Sequence, residues 1–62
     1  MMWLNYKVGA FTYKVDLSKV EVMSFNEKSI HLWLNYSTNT SVGILREYND
    51  NFDEILEKLI NL

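Results

Sequence analysis

Apolar and polar residues alternate at the start of the chain, and the alternation folds back on itself. Met2, Leu4, Tyr6 and Val8 share one parity, and Trp3, Asn5 and Lys7 share the other, the period of a strand with one buried face. Gly9-Ala10 follows, and glycine first in a two-residue loop predicts a type II′ hairpin. Closing the chain there pairs Val8 with Phe11, Tyr6 with Tyr13, Leu4 with Val15 and Met2 with Leu17, apolar on apolar. The other face pairs Lys7 with Thr12, Asn5 with Lys14 and Trp3 with Asp16. A one-residue slip would mix the faces, so the pattern specifies the register.

"DLSK" at 16–19 is the next break. "VEVMSF" and "SIHLWLNY" then flank the polar turn "NEK", the signature of a second hairpin. Its register pairs Phe25 with Ile30, Met23 with Leu32 and Glu21 with Leu34, and on the opposite face Ser24 with His31, Val22 with Trp33 and Val20 with Asn35. "STNTS" at 37–41 reads as a loop. Across it Tyr36 meets Val42 and Leu34 meets Ile44. On the other face Asn35 meets Gly43, Trp33 meets Leu45 and His31 meets Glu47. Phe52, Ile55, Leu56, Leu59 and Ile60 then recur at helical spacing as one apolar stripe. Asn51 with Glu54 three residues on suggests a capping box. Asp50, Asp53 and Glu54 lie near the positive end of the helix dipole.

These elements predict one α+β domain over residues 1–62. It is an antiparallel β-meander of about five strands with one C-terminal helix packed on one face. The face under the helix carries Leu4, Tyr6, Phe11, Tyr13, Val15, Met23, Phe25, Ile30, Leu32, Leu34, Val42 and Ile44. Arg46 shares that parity and is expected at its rim.

Trp33 lies on the other face. There Val22, Trp33 and Leu45 are expected as neighbours across three strands, extended by Val20 and edged by His31 and Glu47, with Trp3 on the same face of the first hairpin. One helix cannot cover both sides of a sheet. Two arrangements accommodate the patch: a sheet curled around a second, minor core, or a surface covered by another chain. Exposed apolar clusters rimmed by polar groups mark interaction sites, and tryptophan is enriched at their energetic centres.

Composition narrows the picture. Sixty-two residues bury only about 60% of the unfolded chain's surface, and domains this small often rely on a disulfide, a metal or a partner. There is no cysteine and a single histidine. Disulfides are excluded, a structural zinc site is disfavoured, and no cofactor is expected. That leaves idealised packing or oligomerisation, most simply a homodimer, to supply the stability. The start lacks a basic region followed by an apolar core, and no apolar run approaches the roughly 20 residues of a membrane span. A cytoplasmic location away from the membrane is therefore expected. The abundance of Asn, Lys, Ile, Tyr and Phe implies AT-rich codons, as in a low-GC bacterium or its phages.

Charge is uneven. Lys7, Lys14, Lys19, Lys28 and Arg46 outnumber Asp16, Glu21 and Glu27 in residues 1–46, whereas Glu47, Asp50, Asp53, Glu54 and Glu57 face only Lys58 in residues 47–62. The acidic end suits a solvated helix face or a basic partner. Ser24, His31 and Glu47 resemble a triad on paper, but an open sheet face offers neither pocket nor oxyanion hole. No glycine-rich phosphate loop is present. Lys7 and Lys14 beside Trp3 make a small electrostatic footprint for nucleic acid against a pI near 5.1.

The run from "VDLSKVEVMSF" through "IHLWLNY" to "FDEILEKLI", within residues 11–60, resembles the small FlbD-type flagellar proteins in its apolar pattern. The resemblance implies a small regulatory or adaptor protein without catalysis. The residues themselves predict a non-catalytic module that docks on a partner protein, in a phage setting an inhibitor or modulator of a host factor. Trp33, Val22, Leu45, Val20, His31 and Trp3 are its expected contact residues. A small nucleic-acid-binding regulator is the alternative.

Overall fold

The computed structural model describes residues 2–62. Five strands and one helix follow in chain order: β1 (Trp3–Val8), β2 (Phe11–Asp16), β3 (Val22–Phe25), β4 (Ser29–Asn35), β5 (Thr40–Leu45) and α1 (Phe52–Ile60). The strands form two antiparallel sheets, β1-β2 and β3-β4-β5, rather than one continuous meander. The break falls between β2 and β3. Asp16 accepts hydrogen bonds from the Ser18 N–H and hydroxyl at 3.0 and 2.6 Å, which winds Leu17–Lys19 into a 3-10 turn. That turn carries the chain out of the first sheet before β3 begins.

Both early hairpins have the registers their alternation predicts. Leu4 opposes Val15, Tyr6 opposes Tyr13 and Val8 opposes Phe11. Gly9 has φ +58 and Ala10 a negative φ, the signs of a type II′ turn. In the second hairpin Val22 opposes Trp33 and Phe25 opposes Ile30. The Asn26 side chain closes this turn by accepting from the Lys28 and Ser29 amides at 2.8 and 2.9 Å.

The β4–β5 register differs from expectation by four residues. Trp33 opposes Ser41, His31 opposes Gly43 and Ser29 opposes Leu45. The turn is tighter than the "STNTS" composition suggests. Asn39 enters the left-handed region at φ +58 and donates its N–H to the Tyr36 carbonyl, so Thr40 and Ser41 join β5. Asparagine tolerates that conformation better than most residues. Leu34 has no partner, because Trp33 faces Ser41 while Asn35 faces Thr40. It is the extra residue of a bulge.

One core joins the pieces. The first sheet contributes Leu4, Tyr6 and Val15, with Leu17 just beyond its end. The second sheet contributes Ile30, Leu32 and Ile44, and α1 contributes Phe52, Ile55 and Leu59. Phe11, Tyr13 and Phe25, expected in this core, are exposed. Parity chooses a face, but a nine-residue helix covers only its middle. Ile60 likewise runs past the sheets into solvent. Val20 corrects in the opposite direction: it ends the 3-10 turn, lies outside β3 and packs on the core. The Asn51 side chain makes no cap hydrogen bond, so the predicted capping box is not formed.

Two polar clamps fix the assembly. The Arg46 Nε–H donates to the Glu27 carbonyl at 2.7 Å, and its guanidinium pairs with the Asp53 carboxylate at 2.8 and 3.2 Å. It also lies 4.4 Å from the Phe52 ring centre. The β3–β4 turn is thereby tied to α1, with Arg46 at the rim its parity predicts. The second clamp is Asn49, the one buried polar residue among those described. The Lys7 N–H donates to its Oδ1 at 2.8 Å, and its Nδ2 donates to the carbonyls of Lys7 and Leu45 at 3.0 and 2.8 Å. It joins β1 to the end of β5 where no strand ladder does.

Candidate functional site

The helix packs against the Ile30, Leu32 and Ile44 face of the second sheet. Strand alternation sends Val22, His31 and Trp33 to the opposite face. Their registers put Val22 beside Trp33 on one flank and Ser41 beside it on the other. Gly43 lies opposite His31, and a Cβ there would stand 3.7 Å from the imidazole Nε2. The imidazole therefore rests over a bare stretch of β5.

Past the Leu34 bulge the parity reverses, which brings Tyr36 to the Trp33 side. The result is an aromatic strip along β4. The His31 and Trp33 ring centres are 5.7 Å apart and tilted, and Trp33 meets Tyr36 edge-on at the same distance. Such geometries suit the quadrupoles of aromatic rings. The Trp33 Nε1–H donates to Asn39 Oδ1 at 3.1 Å. The Glu21 carboxylate accepts from the Tyr36 N–H at 3.0 Å, tying the strip's far end to the chain ahead of β3. Trp33 is half-buried, while Val22, His31 and Tyr36 are exposed.

The structure brings together Val22, Trp33 and His31 and separates the rest of the expected patch. Leu45 opposes Ser29, four residues along β4 from Trp33, and is half-buried. Val20 belongs to the core. Trp3 belongs to the two-stranded sheet, where the Lys14 ammonium sits 5.3 Å from its ring centre. Glu47 is not opposite His31, so Ser24, His31 and Glu47 do not assemble across the strands. Sequence reasoning missed Tyr36 and Asn39. The signal for Asn39 was an asparagine inside a run of small polar residues; Tyr36 carried none, because a bulge leaves the alternation before it intact.

Perturbed titrations lie away from the strip. Burial, with help from nearby Tyr13, raises the Tyr6 hydroxyl. Hydrogen bonds from Ser18 lower Asp16, and those from Arg46 lower Asp53. Among the described residues no helix is long and apolar enough to cross a membrane.

Comparison with protein-family models, curated proteins and solved structures finds no match. The likeness to FlbD-type proteins therefore rests on the apolar pattern alone.

Proposed function

We propose that this chain is a small non-catalytic module that works by docking the outer face of its β3-β4-β5 sheet on another protein, most simply a second copy of itself. The observation that supports this is the strip of His31, Trp33 and Tyr36 with Val22 beside it, on the side of the sheet away from α1. A rigid tryptophan at the centre of an apolar patch is the usual anchor of a protein interface. Covering it would remove a few hundred Å² per chain, worth several kcal/mol at about 25 cal/mol per Å² before association costs. If the gene belongs to a phage, as the abundance of Asn, Lys, Ile, Tyr and Phe allows, the docking target is a host protein.

Nucleic-acid binding is the weaker reading. The exposed Trp3 lies with the Lys14 ammonium 5.3 Å from its ring centre, but one such pair is a small footprint in a chain of net charge −2.

Sedimentation of wild type and Trp33→Ser at micromolar to millimolar concentration tests the proposal. Wild type is expected to dimerise and the variant to remain monomeric with unchanged circular dichroism. A monomeric wild type ends the self-association reading. In Trp3→Phe, which leaves Trp33 as the one tryptophan, an emission that is blue-shifted and quencher-resistant ends the docking reading as well.

A further inference from the structure

β1 is hydrogen-bonded as a strand along one edge and only in part along the other. The Leu17 N–H donates to the Met2 carbonyl at 2.7 Å, and Lys7 turns its N–H and C=O toward Asn49 rather than β2. Even-numbered residues of β1 therefore exchange bonds with β2, while Trp3, Asn5 and Lys7 face the other way. At Lys7 a side-chain amide fills the rung, accepting with Oδ1 and donating with Nδ2, as a neighbouring peptide group would. At Asn5 and Trp3 no group among the described residues does so. These unfilled rungs lie roughly 6.8 Å apart, the repeat of alternate residues in an extended chain.

The edge opens into a groove. A hollow of about 240 Å³ is lined by Asn5, Lys7, Tyr48 and Asp50. Another of about 320 Å³ is lined by Trp3, Asn5, Glu54, Ile55 and Lys58. Asn5 and Asn51 line both, so the two are halves of one trough with the β1 edge on one side and the start of α1 on the other.

We infer that this trough receives an extended segment of a partner polypeptide, which adds to β1 as a further strand. The chemistry selects backbone: only a chain offering N–H and C=O at strand spacing completes both rungs, and Asn49 already shows the complement at the third. Lys7 and Asp50 share one half of the trough and Glu54 and Lys58 the other, so acid and base are balanced and the segment is not chosen by net charge. Strand addition between an edge and a helix is an established mode of peptide capture. Of the other three edges, β3 is a poorer template because it has four residues, and β5 lines neither hollow. The site is separate from the Trp33 strip, and its test does not depend on that reading.

The probe is an acetylated, amidated octapeptide of alternating threonine and valine, added to 15N-labelled protein. A second peptide is identical but N-methylated at every residue, so that neither edge can donate. With the first, exchange of the Asn5 and Trp3 amides is expected to slow at least tenfold at saturation, while the Lys14 amide, on the far edge of β2, stays unchanged. The N-methylated peptide should bind at least tenfold more weakly, having lost its backbone donors on both edges. Asn5→Pro removes an unpaired N–H without touching the ladder to β2, and should weaken the unmodified peptide at least tenfold while keeping a cooperative melt. Equal binding of the two peptides overturns the proposal, as does protection confined to β2 or to the Trp33 strip, or no response at millimolar peptide. Because the two-peptide comparison uses wild-type protein, it decides the matter even if Asn5→Pro does not fold.

Discussion

The carboxamide of Asn49 pairs with both backbone groups of Lys7, far away in the chain, and also with the Leu45 carbonyl. Sequence alternation does not reveal this link. It substitutes for the ladder that would otherwise join the two sheets.

Asn49→Ala should be costly. It strands the Lys7 N–H and two carbonyls in a partly buried place, and each unpaired group costs about 1–3 kcal/mol. Against roughly 3–5 kcal/mol for a domain of this size, the variant should be largely unfolded in mild urea. Asn49→Asp keeps the acceptor but sets a buried carboxylate oxygen against the Lys7 and Leu45 carbonyls, and should cost at least as much. A urea midpoint for Asn49→Ala equal to that of wild type would mean the clamp contributes nothing.

Leu32 and Leu34 separate parity from burial. Leu32 is wholly enclosed, whereas Leu34 sits at the bulge, half-buried. Leu32→Ala should cost about 2–5 kcal/mol, and Leu34→Ala clearly less, as seen in thermal melts of both variants. The reverse order would place Leu34 in the centre of the core.

The Arg46–Asp53 pair gives stability a pH dependence. Arg46 holds Asp53 below its ordinary value, and Ser18 does the same for Asp16. A carboxyl depressed in the folded state contributes stability above its unfolded pKa of about 3.9. That contribution is lost as pH falls through the folded value. The urea midpoint should therefore decline below about pH 4, and Asp53→Asn should flatten the decline. Both groups are exposed, so the change is modest. An identical acid profile in wild type and variant would assign the decline to other groups.

Local pattern made the first two hairpins legible because each turn and each face agreed on one register. The third pairing depended on how tightly residues 36–39 close, and composition does not say which asparagine turns left-handed. Phe11, Tyr13 and Phe25 had the right parity but lie where α1 does not reach. Of the expected docking surface, Trp33, Val22 and His31 stand together, since the β3–β4 register was correct. Leu45 was lost with the β4–β5 register, and Val20 with the 3-10 turn. Asn49 looked like one more polar residue ahead of a helix.

The division into two sheets also sets the order in which the chain can assemble. Every ladder joins strands adjacent in sequence, so each closes a short loop and loses little entropy. Chains rich in such local contacts fold fast. The Asn49–Lys7 latch spans 42 residues and can engage only when both sheets and the start of α1 are in place. A contact of that range is expected to form late, so that Asn49→Ala speeds unfolding more than it slows folding in stopped-flow traces.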